Sequence, residues 1–209
     1  MKHLTKHLAI TCLLVCTTAL PARADPKLWA TIQTQPNVVL VGRHMDVEQG
    51  RGTHYDTGGH CQGEVMLTPK GRKQAVAFGE AFKAHGVDPG KLHIVASAMC
   101  RMRDTAMLAF GKATLDPALR ESFSGGGGRM TEFMDAAEGW IRKHRGHTPL
   151  LLLTHHPNIY ALTGEQSDHG QVVVAQSDES GGLNVLGLLR LFWLNLAALP
   201  PSPSPLHGP

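Results

Sequence analysis

The chain has 209 residues, with 20 Lys and Arg against 17 Asp and Glu, a formal charge of +3. Three of the cations, Lys2, Lys6 and Arg23, fall within residues 1–24, which contain no acid, so the remainder is formally neutral. A neutral body argues against a protein held to nucleic acid or to an anionic membrane by its net charge.

Residues 1–24 read as a secretory signal peptide. Lys2 and Lys6 precede an apolar run from Leu8 to Leu20, and Ala22-x-Ala24 offers a cleavage site. The run is shorter than the ~20 residues of a membrane-spanning helix, so no stable membrane insertion is expected after cleavage. Cys12 and Cys16 lie inside it, but "LLVC" lacks the small residue that precedes a lipidated cysteine. The mature chain is expected to begin near Asp25, in a secreted or periplasmic compartment. Residues 25–195 suffice for one sizeable core and are few for two, so one domain is expected.

"NVVLVG" (37–42) is a continuous apolar run, the pattern of a strand buried on both faces. A long polar, glycine-rich loop follows. Thr68 as N-cap, Pro69 at the first helical position, Ala75, Phe78 and Phe82 on one face and Gly86 beyond the end predict a helix. "KLHIVAS" (91–97) reads as a second buried strand and residues 99–110 as a helix with Met102, Ala106 and Ala109 or Phe110 inward. "ATLDPALRE" reads as a short extended segment before "SGGGG". Residues 129–144 carry Met130, Phe133, Met134, Ala137 and Ile141 at helical spacing, and Gly146 is a natural stop. "PLLLLT" (149–154) is the strongest buried strand, followed by weaker ones over 171–176 and 183–193. Residues 196–209 are proline-rich and are expected to form a disordered tail, since proline cannot donate a backbone hydrogen bond.

Strands alternating with helices imply a three-layer α/β/α sandwich with a mostly parallel central sheet. Ligands of such sheets sit at the carboxyl ends of the strands. Three of the expected strands end in chemically suggestive residues: the first in Arg43-His44, the second in "SAMCRMRDTA" with Arg101, the third in "THHPN" with His155. If these strands are neighbours, two arginines and two histidines converge. The guanidinium fork matches phosphate oxygens and stays charged. A neutral imidazole between two arginines has the chemistry to attack phosphorus and hold the phosphoryl group covalently, and a protonated second histidine would add charge where the equatorial oxygens lie.

Arg43-His44 after a strand, Ser97-x3-Arg101-x3-Thr105-Ala106, and Thr154-His155 after a late strand resemble the signatures of the histidine phosphatase superfamily, the phosphoglycerate-mutase-like enzymes. "LTPKGRKQA" (67–75) resembles the helix start after that family's first loop, and "THHPNIYALTG" (154–164) a small secreted or periplasmic branch of it. The resemblance spans residues 37–192. It implies a metal-independent, cofactor-free phosphomonoesterase of the histidine acid phosphatase type. In that reading His44 is the phosphorylated nucleophile and Arg43, Arg101 and His155 bind the phosphoryl group. Glu121, in "LRE", is the proton donor, with His156 and Asp46 as alternatives. A small-molecule or envelope phosphomonoester would be the substrate, with no nucleic-acid partner; the sequence is silent on oligomeric state. Met45 replaces the family's glycine after the first histidine, which either crowds the pocket mouth or lines it. The glycine run 125–128 stands where larger members carry substrate-selecting insertions, implying an open site.

Asp46 also reads as a cap for its own backbone, Arg103 as pointing to solvent, Ser97 and Thr105 as shaping loop and helix, and Asn158 as a helix cap or, alternatively, as orienting His155. His54, His60, His85, His93, His144, His147 and His169 read as surface or core residues without a role. The two cysteines after residue 24, Cys61 and Cys100, are expected to pair in an oxidising compartment, with two buried thiols as the alternative. A rival reading is a secreted metal protein using His54, Asp56, His60 and Cys61, although their spacing matches no standard site. Another is a non-catalytic phosphate-ester-binding module of the same fold. A cysteine-dependent phosphatase is excluded, because Leu67 stands where the arginine six residues after Cys61 would be required.

Overall fold

A computed structural model describes residues 25–50, 54–125 and 128–191. The expected signal peptide, the proline-rich tail, the far end of the last expected strand and two glycines of the run 125–128 lie outside the described residues.

The described elements are, in chain order, α1 (Pro26–Thr34), β1 (Val38–Arg43), α2 (Pro69–Ala84), β2 (His93–Ser97), α3 (Cys100–Phe110), β3 (Thr114–Asp116), α4 (Gly128–Lys143), β4 (Leu150–Thr154), α5 (His156–Thr163), β5 (Gln171–Ser177) and β6 (Leu183–Arg190). Among the described residues the strands form one sheet in the order β3-β2-β4-β1-β5-β6. The pairings β3-β2, β2-β4 and β4-β1 are parallel, as the alternating pattern implies. The pairings β1-β5 and β5-β6 are antiparallel. The sheet is therefore mostly parallel with an antiparallel edge, where the short connection between Ser177 and Leu183 is far below the dozen or so residues that a parallel crossover needs.

Side chains alternate across each strand, so the apolar runs feed two cores. Leu40, Ala96, Leu151, Leu153 and Val174 face α1, α2 and α3, where Trp29, Phe78, Phe82 and Met102 are buried. Val39, Val41, Val95, Leu152 and Val173 face α4 and α5, against Phe133, Ala137, Ile141 and Ile159. Strands covered on both sides need no polar alternation, which is why β1 and β4 are almost wholly aliphatic.

The α2 start is as the sequence predicts. Thr68 Oγ1 accepts the Gly71 N–H at 2.9 Å, and Pro69 opens the helix. Helix α1 has no counterpart among the predicted elements. Asp25 caps it by accepting the Lys27 N–H, and Trp29 packs edge-on to Phe82 and stacks on His85. Met45 is a correction, since it neither crowds nor lines the pocket: it is fully buried in the core with Phe78 and Met102. No described helix is long and apolar enough to cross a membrane.

Candidate active site

Neighbouring strands β2, β4 and β1 run parallel and in register, Arg43 beside Thr154 and Ala96 beside Leu153. Their carboxyl ends therefore open onto the same edge, and the chemistry carried beyond each end meets there. A cavity of about 180 Å³ at this edge is lined by Arg43, His44, Val47, Gly50, Val65, Arg101, Glu121, His155, His156 and Pro157. All five residues singled out from the sequence, Arg43, His44, Arg101, Glu121 and His155, are thus brought together.

His44 follows the last residue of β1 and is 5 % exposed. Its Nδ1 lies 2.8 Å from the carbonyl of Met45. A carbonyl only accepts, so Nδ1 carries the hydrogen and the lone pair of the neutral ring is on Nε2. Burial, then the nearby Arg101 charge, hold its pKa well below the ordinary value, and the bond to Met45 opposes this only in part.

His155 ends the β4 connection and is buried. Arg101 Nη2 lies 3.2 Å from its Nδ1, and its Nε2 lies 3.1 Å from the Ser97 hydroxyl. Since the guanidinium can only donate, Nδ1 accepts and Nε2–H donates to Ser97. Burial and the Arg101 charge push its pKa well down as well. The free site therefore holds His155 neutral, not as the cation anticipated for a second histidine.

Arg101 sits in the first turn of α3, fully buried, and Nη2 also donates to Glu121 Oε2 at 3.0 Å. Arg43 Nη1 donates to the Ser167 carbonyl at 3.1 Å. Burial lowers both arginine pKa values, but a guanidinium remains charged there. Two fixed cations and two neutral imidazoles around a small cavity form a receptacle for an anion with several acceptor oxygens.

The surroundings correct several expectations. Asn158 does not cap a helix: its amide donates to the carbonyls of Leu119 and Arg120 and to Thr154 Oγ1, while Oδ1 accepts the Ser122 N–H. It thereby fixes the Leu119–Ser122 segment that presents Glu121. Asp46 does not cap its own backbone: its carboxylate accepts the Thr68 hydroxyl at 2.7 Å and lies 3.8 Å from Lys70, turned to α2 and away from the cavity lining. Arg103 does not simply face solvent, as it donates to the Gly59 carbonyl and to the sulfurs of Cys61 and Cys100. Ser97 and Thr105 do shape the site. Thr105 bonds the Arg101 carbonyl and accepts from Met45 N, and Ser97 accepts from Met99 N as well as meeting His155. His156 lines the cavity with Nδ1 held by the Ser167 carbonyl at 3.0 Å.

Cys61 and Cys100 form a disulfide, which joins the long loop after β1 to the residue before Arg101. The rival metal set is not assembled. Cys61 is in that bridge, and the Asp56 carboxylate is spent accepting the N–H groups of Gly58, His60 and Gln62. Among the described residues no group of three or more His, Cys, Asp or Glu is arranged to hold a metal ion.

His169 is the residue that the sequence does not single out. Its ring centroid lies 5.0 Å from that of His44, on the loop between α5 and β5. Nothing local marks it, because a histidine in a polar loop looks the same whether it faces solvent or a site far away in sequence.

A mostly parallel sheet between helices, with an Arg-His pair at the end of one strand and an arginine, a carboxylate and a second histidine beyond its neighbours, defines an α/β protein with an anion-binding receptacle at the carboxyl edge of its sheet. The family model of the histidine phosphatase superfamily, branch 1, matches residues 43–150, and the chain belongs to that superfamily of phosphatases. No curated protein matches the chain significantly in sequence. Many solved structures share the fold. The protein histidine phosphatase SixA complexed with tungstate has 17 % identity and a TM-score of 0.53, covering 76 % of this chain and 99 % of its own. A mutant phosphoserine phosphatase of Entamoeba histolytica in complex with phosphoserine has 12 % identity and a TM-score of 0.53, covering 76 % and 99 %. A mycobacterial hydrolase has 14 % identity and a TM-score of 0.51, covering 74 % and 91 %.

Proposed function

We propose that the protein is a phosphomonoesterase that works without metal through a phosphohistidine on His44. The observation that carries this reading is the tautomer of His44. With Nδ1–H held by the Met45 carbonyl, the nucleophilic lone pair is on Nε2, in a ring that lines a cavity shared with Arg43, Arg101 and His155.

In this reading the Nε2 lone pair forms a bond to phosphorus as the bond to the ester oxygen breaks, and Glu121 donates the proton taken by that oxygen. Water then attacks the phosphohistidine, the N–P bond breaks, and the water proton passes to Glu121. Arg43 and Arg101 neutralise the charge on the equatorial oxygens throughout, so catalysis is mainly positional and electrostatic. A bound phosphoryl dianion reverses the local potential at His155. Proton uptake at Nδ1 would then turn that nitrogen from an acceptor of the Arg101 bond into a donor to the ligand. His156, whose Nδ1–H is held by the Ser167 carbonyl, is the second candidate donor and would serve only when protonated on Nε2 as well.

The binding-module alternative drew on Met45 beside the nucleophile and on the unassigned proton donor, and burial of Met45 in the core removes the first of these grounds. The disulfide and the leader-like residues 1–24 support a secreted or periplasmic location. The substrate class is a small phosphomonoester, in keeping with the size of the cavity.

The test is hydrolysis of an aryl phosphate from about pH 4 to pH 8 with chelator present, comparing the protein with His44→Ala. Chelator-resistant turnover that the substitution abolishes is expected. Turnover that needs added metal, or that survives His44→Ala, would overturn the reading.

A further inference from the structure

The segment Ser167-Asp168-His169-Gly170, between α5 and β5, meets the site at Arg43, His44 and His156. One carbonyl, that of Ser167, receives both Arg43 Nη1 and His156 Nδ1, at 3.1 and 3.0 Å. Two residues on, the imidazole of His169 lies against His44, with the ring planes 39° apart. The loop is braced from within. Gln171 accepts the Asp168 N–H through Oε1 and donates to the Asp168 carboxylate through Nε2, and its own N–H reaches the Asp168 carbonyl. Gly170 at φ +73° makes the turn into β5. His44 thus has two imidazole neighbours, His155 at a centroid distance of 5.6 Å and His169 at 5.0 Å.

We propose that His169 is a positioning residue of this phosphatase, confining the His44 ring to the pose in which Nε2 meets phosphorus. The proposal rests on the reading of His44 as nucleophile.

The physical need is specific. The Met45 carbonyl tethers one nitrogen of His44, but the final torsion of a histidine side chain is broad, and one hydrogen bond leaves the ring free to rock about it. In-line attack tolerates little of this, since a misplacement of about 1 Å costs on the order of a hundredfold in rate. Two neighbouring rings at these distances restrict that freedom.

The charge state matters for a separate reason. His169 is faced by His44 and Arg43 from the end of β1, by Asp46 just beyond it, by Lys70 from α2 and by Asp168 of its own loop. Burial, then the Arg43 charge, lower its pKa to about 4 against the opposing pull of Asp46 and Asp168. His169 is therefore neutral in neutral solution. When His44 carries the phosphoryl group on Nε2 and a hydrogen on Nδ1, its ring is cationic. A neutral neighbour accommodates that ring; a protonated His169 would repel it and raise the energy of the intermediate.

The experiment compares the protein with His169→Ala, His169→Phe and His44→Ala, using aryl phosphate hydrolysis across pH together with thermal melting. His169→Ala is expected to lower kcat by on the order of tenfold with little change in KM, at a nearly unchanged melting temperature. His169→Phe restores a ring without a titrating nitrogen. It should recover most of kcat, and the acid limb of its profile should move to lower pH than that of the unsubstituted protein. Wild-type kcat and an unmoved acid limb in both variants would overturn the proposal. So would activity losses that merely track a loss of melting temperature, which would make His169 structural only. Full activity in His44→Ala would identify the other failure, that of the nucleophile itself.

Discussion

Glu64 caps α3 from outside the helix: its Oε2 accepts the backbone N–H of Cys100, the residue before Arg101, at 2.7 Å. Met99, at the N-cap position, makes no side-chain capping bond, so a carboxylate from the long loop after β1 supplies what the local sequence lacks. The other oxygen accepts the Asp56 N–H at 3.0 Å, and the side chain is buried. One residue therefore joins the loop that forms the outer wall of the cavity to the helix that carries its buried arginine.

Glu64→Ala leaves the buried Cys100 N–H and the part-buried Asp56 N–H without their acceptor, a loss of about 1–3 kcal/mol for the buried group. Thermal or denaturant unfolding should show this loss, accompanied by a raised KM for phosphomonoesters as Arg101 loses its support. Unchanged stability would mean that the loop is held by the disulfide alone.

Reduction of Cys61–Cys100 tests that disulfide directly. The bridge spans 39 residues of sequence, and loop entropy alone assigns such a closure about 4 kcal/mol. Reduced protein should melt at lower temperature and should lose part of its activity, since Arg101 remains on α3 while the wall carrying Val65 loosens. An identical melting temperature and rate before and after reduction would refute the link.

Acid should destabilise the fold beginning near neutrality. His44 and His155 have folded pKa values well below 6.5, and His169 about 4. Below pH 6.5 the unfolded chain therefore binds protons that the folded chain refuses, and stability falls as pH falls. The depressed carboxylates of Asp56 and Asp178 start from 3.8 and act only below that, so they leave this window alone. The melting temperature should be level above pH 7 and decline from pH 6.5 toward pH 5. A flat or rising curve there would contradict neutral burial of these rings.

Two glycine-to-alanine substitutions should have opposite signs. A Cβ on Gly71 would stand 1.9 Å from the Asp46 carbonyl oxygen, so Gly71→Ala must displace the backbone two residues beyond His44. Such overpacking costs about 1–3 kcal/mol, and kcat should fall with stability. A Cβ on Gly139, in the middle of α4, meets nothing within 4 Å. Gly139→Ala should stabilise by roughly 0.5–1 kcal/mol without touching the rate. Melting and kinetics on both variants check the pair.

Much of this was legible along the chain. Helix α2 announces itself through Thr68, Pro69 and Gly86, because capping and proline geometry act within a few residues. The parallel strands are legible because burial on both faces demands unbroken aliphatic runs. The convergence of Arg43, His44, Arg101 and His155 follows from each lying at or just past a strand end, once those strands are parallel neighbours in the sheet.

Tertiary structure alone decided where side chains go when the partner is distant. Met45 follows the nucleophile candidate yet turns into the core among Phe78 and Met102, and Arg103 turns back over the disulfide. Asn158, within α5, holds the Leu119–Ser122 segment that carries Glu121, and Glu64 caps a helix 36 residues away. His169 meets His44 only because β5 runs antiparallel beside β1, which brings the loop before β5 to the end of β1. Local pattern specifies which face of an element is buried, since that depends on period alone. The destination of a polar side chain depends on which acceptor or charge the assembled sheet places within about 3 Å, and no periodicity encodes that.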